Sequence, residues 1–355
     1  MCRKGLSINF IKDKIIKSEY VICIGSGRRL DTLDIMLHGT SLLDKVAVIA
    51  DNNPSIIGTE RNFNDKKYTV QSVQSINLED ARLKIVLITP KHPEEIVQQI
   101  ERMPKKTNLY VITLNSLIDS YDEYLIENAK SIPSQIKILS NPVIPKCIHY
   151  CWFGHKELPE KNKKWMESWK KYCPDYKIKL WNEDNFDVFQ NLYLKKLYEN
   201  KMFAFIADYV RHHVLYQYGG IYLDTDVELI RPIDDLRYQN GFISFEGNGM
   251  VASGAGIGTI ACNPILGDIC KIDDELKFPE NIELLKMQTC PRIETKAFLK
   301  HGLLRNGKYQ VLNDGFFTVY PEKLLFGING ITKHELIDIN TRAIHHYDAS
   351  WVREN

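Results

Sequence analysis

A chain of 355 residues has room for two compact domains, and 46 Lys plus Arg against 45 Asp plus Glu leave no global field to draw in nucleic acid. A hydrophobic fraction of 44% and a charged fraction of 26% exclude a disordered or fibrous chain. The eight cysteines form no Cys-x-x-Cys pair, which argues against a zinc site and a disulfide framework and for a reducing compartment.

In chain order, short β-rich runs alternate with helical patterns, the rhythm of βαβ units around a parallel sheet. Strands are expected at 20–25, 45–50, 83–89 and 108–113, and helices at 31–37 and 93–102. Residues 131–145, with three prolines, read as a join. The expected domains are therefore 1–138, a Rossmann-like accessory domain, and 139–355. A second α/β unit follows, with a strand at 146–152, a helix at 159–172 and a strand at 176–181. No signal-peptide stretch and no run of about 18 apolar residues is seen. The expected location is cytoplasmic. The basic stretches 161–171 and Lys195-Lys196 read as solvated faces, with peripheral membrane association as the alternative.

The chemistry-bearing segment comes next. Phe203, Ile206, Val210 and Val214 recur at helical spacing, and Gly219-Gly220 is the stop that a helix C-terminus favours. Ile221-Tyr222-Leu223 then opens a buried strand that runs into Asp224-Thr225-Asp226, whose two carboxylates face the same way. Two ionised carboxylates held together call for a cation or hydrogen-bond donors between them, and for a cation, oxygen ligands suit a hard divalent metal. Such a metal can neutralise the charge that builds on a leaving diphosphate. Asp208 and Arg211 stand three apart on the preceding helix, and on spacing alone they read as a surface ion pair.

Four stretches, 144–154 (IPKCIHYCWFG), 207–211 (ADYVR), 218–226 (YGGIYLDTD) and 345–351 (HHYDASW), together resemble the DXD-containing glycosyltransferases of family 32, the capsular-polysaccharide group. The resemblance extends to the catalytic domains of large clostridial glucosylating toxins. It implies an α/β chain with a GT-A-type catalytic domain over 139–355, a UDP-sugar donor, manganese or magnesium, and retention of anomeric configuration. By the same resemblance, Trp152 stacks on the uracil and Tyr222 flanks the nucleotide. Asp208 and Arg211 hold donor-sugar hydroxyls, which replaces the surface-pair reading. Asp226 ligates the metal directly, and Asp224 contacts the ribose and the metal. A histidine at 345 or 346 completes the metal shell, and Ser350 and Trp351 reach the β-phosphate. Adjacent residues of an extended chain point opposite ways, so only one histidine faces the metal, and His346 is preferred over His345. The tail is expected to close over bound donor.

The glycines from Gly247 to Gly258 suit a loop close to a sugar, where Asn248 and Ser253 are either turn formers or hydroxyl partners. Gly25-Ser26-Gly27 with Asp51 imitates a dinucleotide-binding turn, but Leu30 replaces the third glycine, so a structural turn is expected. The expected activity is transfer of a hexose or N-acetylhexosamine to a glycan acceptor, lipid-linked, in bacterial surface polysaccharide synthesis. An inactive scaffold or lectin and a sugar nucleotidyltransferase are the alternatives.

Overall fold

The computed structural model describes residues 7–27, 29–37, 42–63, 66–79, 84–104, 109–247, 249–280, 282, 285 and 288–348. Asn248, Ser350 and Trp351 lie outside them. The chain divides into two compact units, Met1–Leu125 and Ile126–Asn355.

In the first unit, five parallel strands lie in the order Gln71–Ser72, Val46–Asp51, Tyr20–Ile24, Lys84–Ile88, Leu109–Thr113. Helices cover both faces of such a sheet, so its central strands are apolar throughout; Val21, Ile22, Cys23 and Ile24 are fully buried. The helices Arg29–Met36 and Glu94–Arg102 stand near their expected places. Those at Ile8–Lys17 and Leu114–Ala129 and the Glu60–Phe63/Lys66–Thr69 hairpin were not foreseen.

The turn after the first strand is structural. Asp51 accepts the Ser26 N–H at 2.9 Å and the Ser26 hydroxyl at 3.1 Å, so a carboxylate occupies the loop donor that a phosphate would need. Gly25 is required because its φ is +98° and a Cβ there would stand 2.3 Å from Thr89 Oγ1.

The second unit carries a seven-stranded mixed sheet. Its order is Gln310–Leu312, Phe317–Tyr320, Gly241–Ser244, Ile257–Thr259, Gly220–Tyr222, Cys147–Cys151, Lys177–Trp181. The last three strands are mutually parallel, and Ile257–Thr259 runs antiparallel to both its neighbours. A separate antiparallel pair joins Val227–Leu229 to Ala343–His345. Cores lie on both faces of the large sheet, one containing Ile206, Val210, Val214, Ile243 and Ile257, the other Ile148, Trp169, Ile221 and Phe242.

The expected join at 131–145 belongs to this second unit. Ile132, Ile136 and Ile144 are buried in its core, and the Ile138 and Leu139 N–H groups both donate to Tyr238 O. Prolines in a stretch without regular structure mark a segment bound by side chains as readily as a linker. No helix of the described residues is long and apolar enough to cross a membrane.

Candidate metal and donor site

The Phe203–Tyr218 helix ends because Gly219 adopts φ +62° while its N–H still reaches Leu215 O at 2.8 Å. Gly220, at φ +105°, passes directly over His149; a Cβ there would lie 2.8 Å from its Nε2. His149 Nε2 stands 3.0 Å from Gly219 O, and Nδ1 receives the Trp181 indole N–H at 3.0 Å. One nitrogen donates and the other accepts, which fits a neutral ring, and burial lowers the His149 pKa to about 4. His149 therefore locks the Gly-Gly stop against the sheet.

The Gly220–Tyr222 strand then delivers the acidic segment. The Asp224 N–H donates to Gly254 O at 3.1 Å, and the Val227 N–H to Asp224 O at 3.1 Å, so residues 224–227 form a turn at the sheet edge. Thr225 points inward, where its hydroxyl accepts from Asn162 Nδ2 at 3.1 Å. With Thr225 anchored, Asp224 and Asp226 share the outward side. Trp152 follows the carboxyl end of the neighbouring parallel strand, in register Tyr222 with His149, and so stands at the same edge. Its indole N–H donates to Lys156 O at 2.6 Å.

Arg211 is the buried hinge of the site. Its Nη2 lies 2.9 Å from Asp208 Oδ1 and 3.0 Å from Asp224 Oδ1, its guanidinium lies over the Tyr222 ring at 4.5 Å, and its Nη1 donates to Ser253 Oγ at 3.1 Å. Burial works against its charge, but Asp224, Tyr222 and Asp208 outweigh it and raise the pKa. The Arg211 side chain is only 5% exposed, so the surface-pair reading from spacing fails. Asp224 also accepts the Tyr222 hydroxyl at 2.9 Å. Burial pushes the Asp208 carboxyl up to about 6 against the pull of Arg211. Burial raises Asp224 as well; Asp226 adds to that, and Arg211, His345 and Tyr222 oppose it.

The tail supplies the third group. Antiparallel pairing sets Val227 opposite His345, which turns His345 toward the acid pair, its Nε2 3.5 Å from Asp226 Oδ1. His346, the preferred candidate from sequence, points the other way. It stacks on Trp165 at 4.2 Å and 10° and meets Glu228 Oε2 at 2.9 Å. Asp224, Asp226 and His345 each present a ligand atom within 4.8 Å of the others. Two hard carboxylate oxygens with one imidazole nitrogen fit manganese or magnesium, and the buried His345 Nδ1 has no hydrogen-bond partner among the described residues. The Asp348 N–H donates to Asp226 Oδ2 at 2.9 Å, a contact that no motif indicated.

Residues 159–243 match the family described as the glycosyltransferase sugar-binding region containing the DXD motif. The matched segment contains Asp208, Arg211, Asp224 and Asp226. It is 35% identical over 108 residues to inositol phosphoceramide mannosyltransferase 3 of Schizosaccharomyces pombe, covering 28% of this chain and 29% of the relative. Inositol phosphoceramide mannosyltransferase 2 of the same organism is 35% identical over 129 residues, covering 35% and 36%. The match thus spans about a third of these relatives' length. Among solved structures, a chain titled PaToxG Glycosyltransferase aligns with TM-score 0.37 and 21% identity, over 52% of this chain and 78% of that one.

Proposed function

We propose that the protein is a metal-dependent, retaining glycosyltransferase that moves a hexose or N-acetylhexosamine from a UDP-sugar to a glycan acceptor, lipid-linked, in bacterial surface polysaccharide synthesis. The observation that carries the reading is the meeting of Asp224, Asp226 and His345 at a sheet edge, with Arg211 joining Asp224 to Asp208. Manganese or magnesium held by these three residues would stabilise the negative charge of the departing nucleoside diphosphate. Arg211 and Asp208 hold sugar hydroxyls, the one donating and the other accepting, in a pocket where burial strengthens each contact. Trp152 offers its ring to the base, and Tyr222 keeps Asp224 oriented. Ser350 and Trp351 complete the proposal as donors to the β-phosphate, on the cytoplasmic side of a membrane.

A second reading concerns the sugar alone. Both relatives described above bear the name mannosyltransferase, which favours mannose as the transferred unit.

The test is cleavage of a panel of UDP- and GDP-sugars by the purified protein, with manganese and then with chelator. Chelator-sensitive cleavage of one UDP-sugar supports the first reading. Cleavage of GDP-mannose alone moves it to the second, and no cleavage or binding of any donor overturns both.

A further inference from the structure

Behind Arg211 lies a buried chain of polar groups that the proposed chemistry does not use. His212, next to Arg211 on the same helix, is fully buried. Its Nδ1 lies 2.8 Å from Asp273 Oδ2 on the Pro264–Asp274 helix, and its Nε2 2.9 Å from Glu294 Oε1 on the Cys290–Lys300 helix. Glu294 and Asp273 are 0% and 2% exposed. The other Glu294 oxygen accepts the Ser253 N–H at 3.0 Å, and Thr295 Oγ1 accepts the Val251 N–H at 3.0 Å. Cys290 Sγ stands 3.1 Å from Glu294 Oε1 and 3.2 Å from Ser253 Oγ, the oxygen that receives Arg211.

Stability alone is a poor account of this arrangement. Withdrawing two carboxylates and an imidazole from water is costly, and apolar side chains of similar volume commonly hold a core as well or better. What charged partners add is direction. Each bond in the chain is specific, and its far end is the turn whose Gly254 carbonyl binds the Asp224 N–H. A Cβ on Gly254 would lie 2.7 Å from Asp224 Oδ2, so a small movement of this turn reaches the carboxylate.

We propose that Asp273, His212 and Glu294 are positioning residues: they fix the 251–254 turn and, through Ser253 Oγ, aim the Arg211 guanidinium at Asp208 and Asp224. The claim deepens the glycosyltransferase reading and rests on it for its kinetic consequences. The three groups do not touch donor or metal. They set where Arg211 and Asp224 stand when the donor arrives.

The experiment compares the full-length parent with Glu294→Ala, Glu294→Gln and Ser253→Ala. Amide hydrogen exchange over residues 251–256 is read independently of activity, because protection there reports the local opening of the turn. Glu294→Ala removes the acceptor of the Ser253 N–H, and the turn amides are expected to exchange faster. Its kcat for donor cleavage is expected to fall by about 100-fold, the cost of misplacing a group by an ångström. Glu294→Gln keeps an oxygen for the Ser253 N–H and is expected to restore both protection and kcat. Ser253→Ala cuts the link to Arg211 without disturbing the buried charges, so kcat is expected to fall while the turn stays protected. Should Glu294→Ala fail to fold, the other two variants carry the test. Parent-like exchange in Glu294→Ala, or parent-like kcat in Ser253→Ala, overturns the proposal. So does one zinc per chain in atomic emission that Asp226→Ala retains and Glu294→Ala loses, which would make His212, Cys290 and Glu294 ligands. A parent that cleaves no donor sinks the glycosyltransferase reading, and the exchange data still decide the positioning claim.

Discussion

Replacing Gly254 by alanine adds one methyl group, and the structure says where it goes. The new Cβ would stand 2.7 Å from Asp224 Oδ2 and 3.7 Å from both Arg211 Nη1 and His345 Nε2. A carbon and an oxygen sit comfortably at about 3.3 Å, so the carboxylate must retreat by roughly 0.6 Å. A free aspartate would simply rotate. This one is pinned through Oδ1 by the Arg211 guanidinium at 3.0 Å and the Tyr222 hydroxyl at 2.9 Å. Holding Asp224 at its ligand position therefore breaks or bends one hydrogen bond to a charged group, a loss of about 1.5–3 kcal/mol. Manganese affinity is expected to weaken by roughly 10- to 100-fold. The same clash loosens the metal-free carboxylate from Arg211 and Tyr222, so the thermal midpoint should fall as well, by an amount partly offset because Gly→Ala restricts the unfolded chain. Calorimetric titration with manganese and a circular dichroism melt read the two effects separately. Gly27→Ala, where no atom lies within 4 Å of the new Cβ, is the control for the substitution itself. Parent-like manganese affinity in Gly254→Ala would refute the placement of Asp224 in the metal shell.

The two histidines should separate cleanly. His345→Ala is expected to raise the manganese dissociation constant by at least about tenfold, as loss of one ligand contact implies. His346→Ala should leave that constant alone and cost about 1 kcal/mol of stability from its ring stack on Trp165; a reversed pattern in the same titration would return the role to His346. Asp226→Ala should abolish chelator-sensitive donor cleavage with an unchanged circular dichroism spectrum, and retained cleavage would remove Asp226 from the reaction. Stability should depend on pH through His212. Burial opposes its charge, but Asp273 and Glu294 outweigh it and push the pKa from 6.5 up to about 9. A group raised on folding stabilises fully below its unfolded pKa, and that contribution is lost as pH rises through about 9. Urea midpoints should therefore fall between pH 6.5 and about 9; the groups facing the ring are Asp273, Glu294 and Cys290, and a flat profile would contradict a protonated His212.

The parts of the site legible in sequence are those made by neighbours along the chain. Helical spacing, a Gly-Gly stop, three buried residues and two aspartates two apart need no distant partner to be read, and Phe203–Tyr218, Gly220–Tyr222 and the acidic turn stand at the expected places. The choice between His345 and His346 was of another kind. Alternation correctly requires opposite faces, but which face meets the acid pair is set by the register that pairs Val227 with His345, across more than a hundred residues. His212 gave no signal either, because its partners lie 61 and 82 positions away on other helices. The prolines of 131–145 misled for a related reason. They forbid regular structure locally without saying whether the isoleucines between them are buried, and three are.

The acid pair is less symmetric than Asp-x-Asp suggests, and the asymmetry bears on mechanism. Asp224 commits Oδ1 to Arg211 and Tyr222, groups fixed in the core, which leaves Oδ2 beside Gly254. Asp226 commits Oδ2 to the Asp348 N–H, a group on the tail, which leaves Oδ1 toward His345. Each carboxylate thus keeps one oxygen engaged by the protein and offers one to a shared cation. The engaged oxygens differ in what holds them. Asp224 is aimed by Arg211 and Tyr222, whereas Asp226 is aimed by the Asp348 N–H. Lys161 pairs with Asp348, so the orientation of the tail is itself tied to the start of the Glu160–Tyr172 helix. On the proposed function, one carboxylate would report the state of the sugar pocket and the other the state of the tail. A cation bridging both would couple donor binding to the position of the tail, and mutations at Lys161 should alter metal affinity through Asp226 while leaving Arg211 and Asp224 undisturbed. A double-mutant cycle between Lys161→Ala and Asp226→Asn, read by manganese titration, measures that coupling; strictly additive effects would show that tail and metal shell act independently.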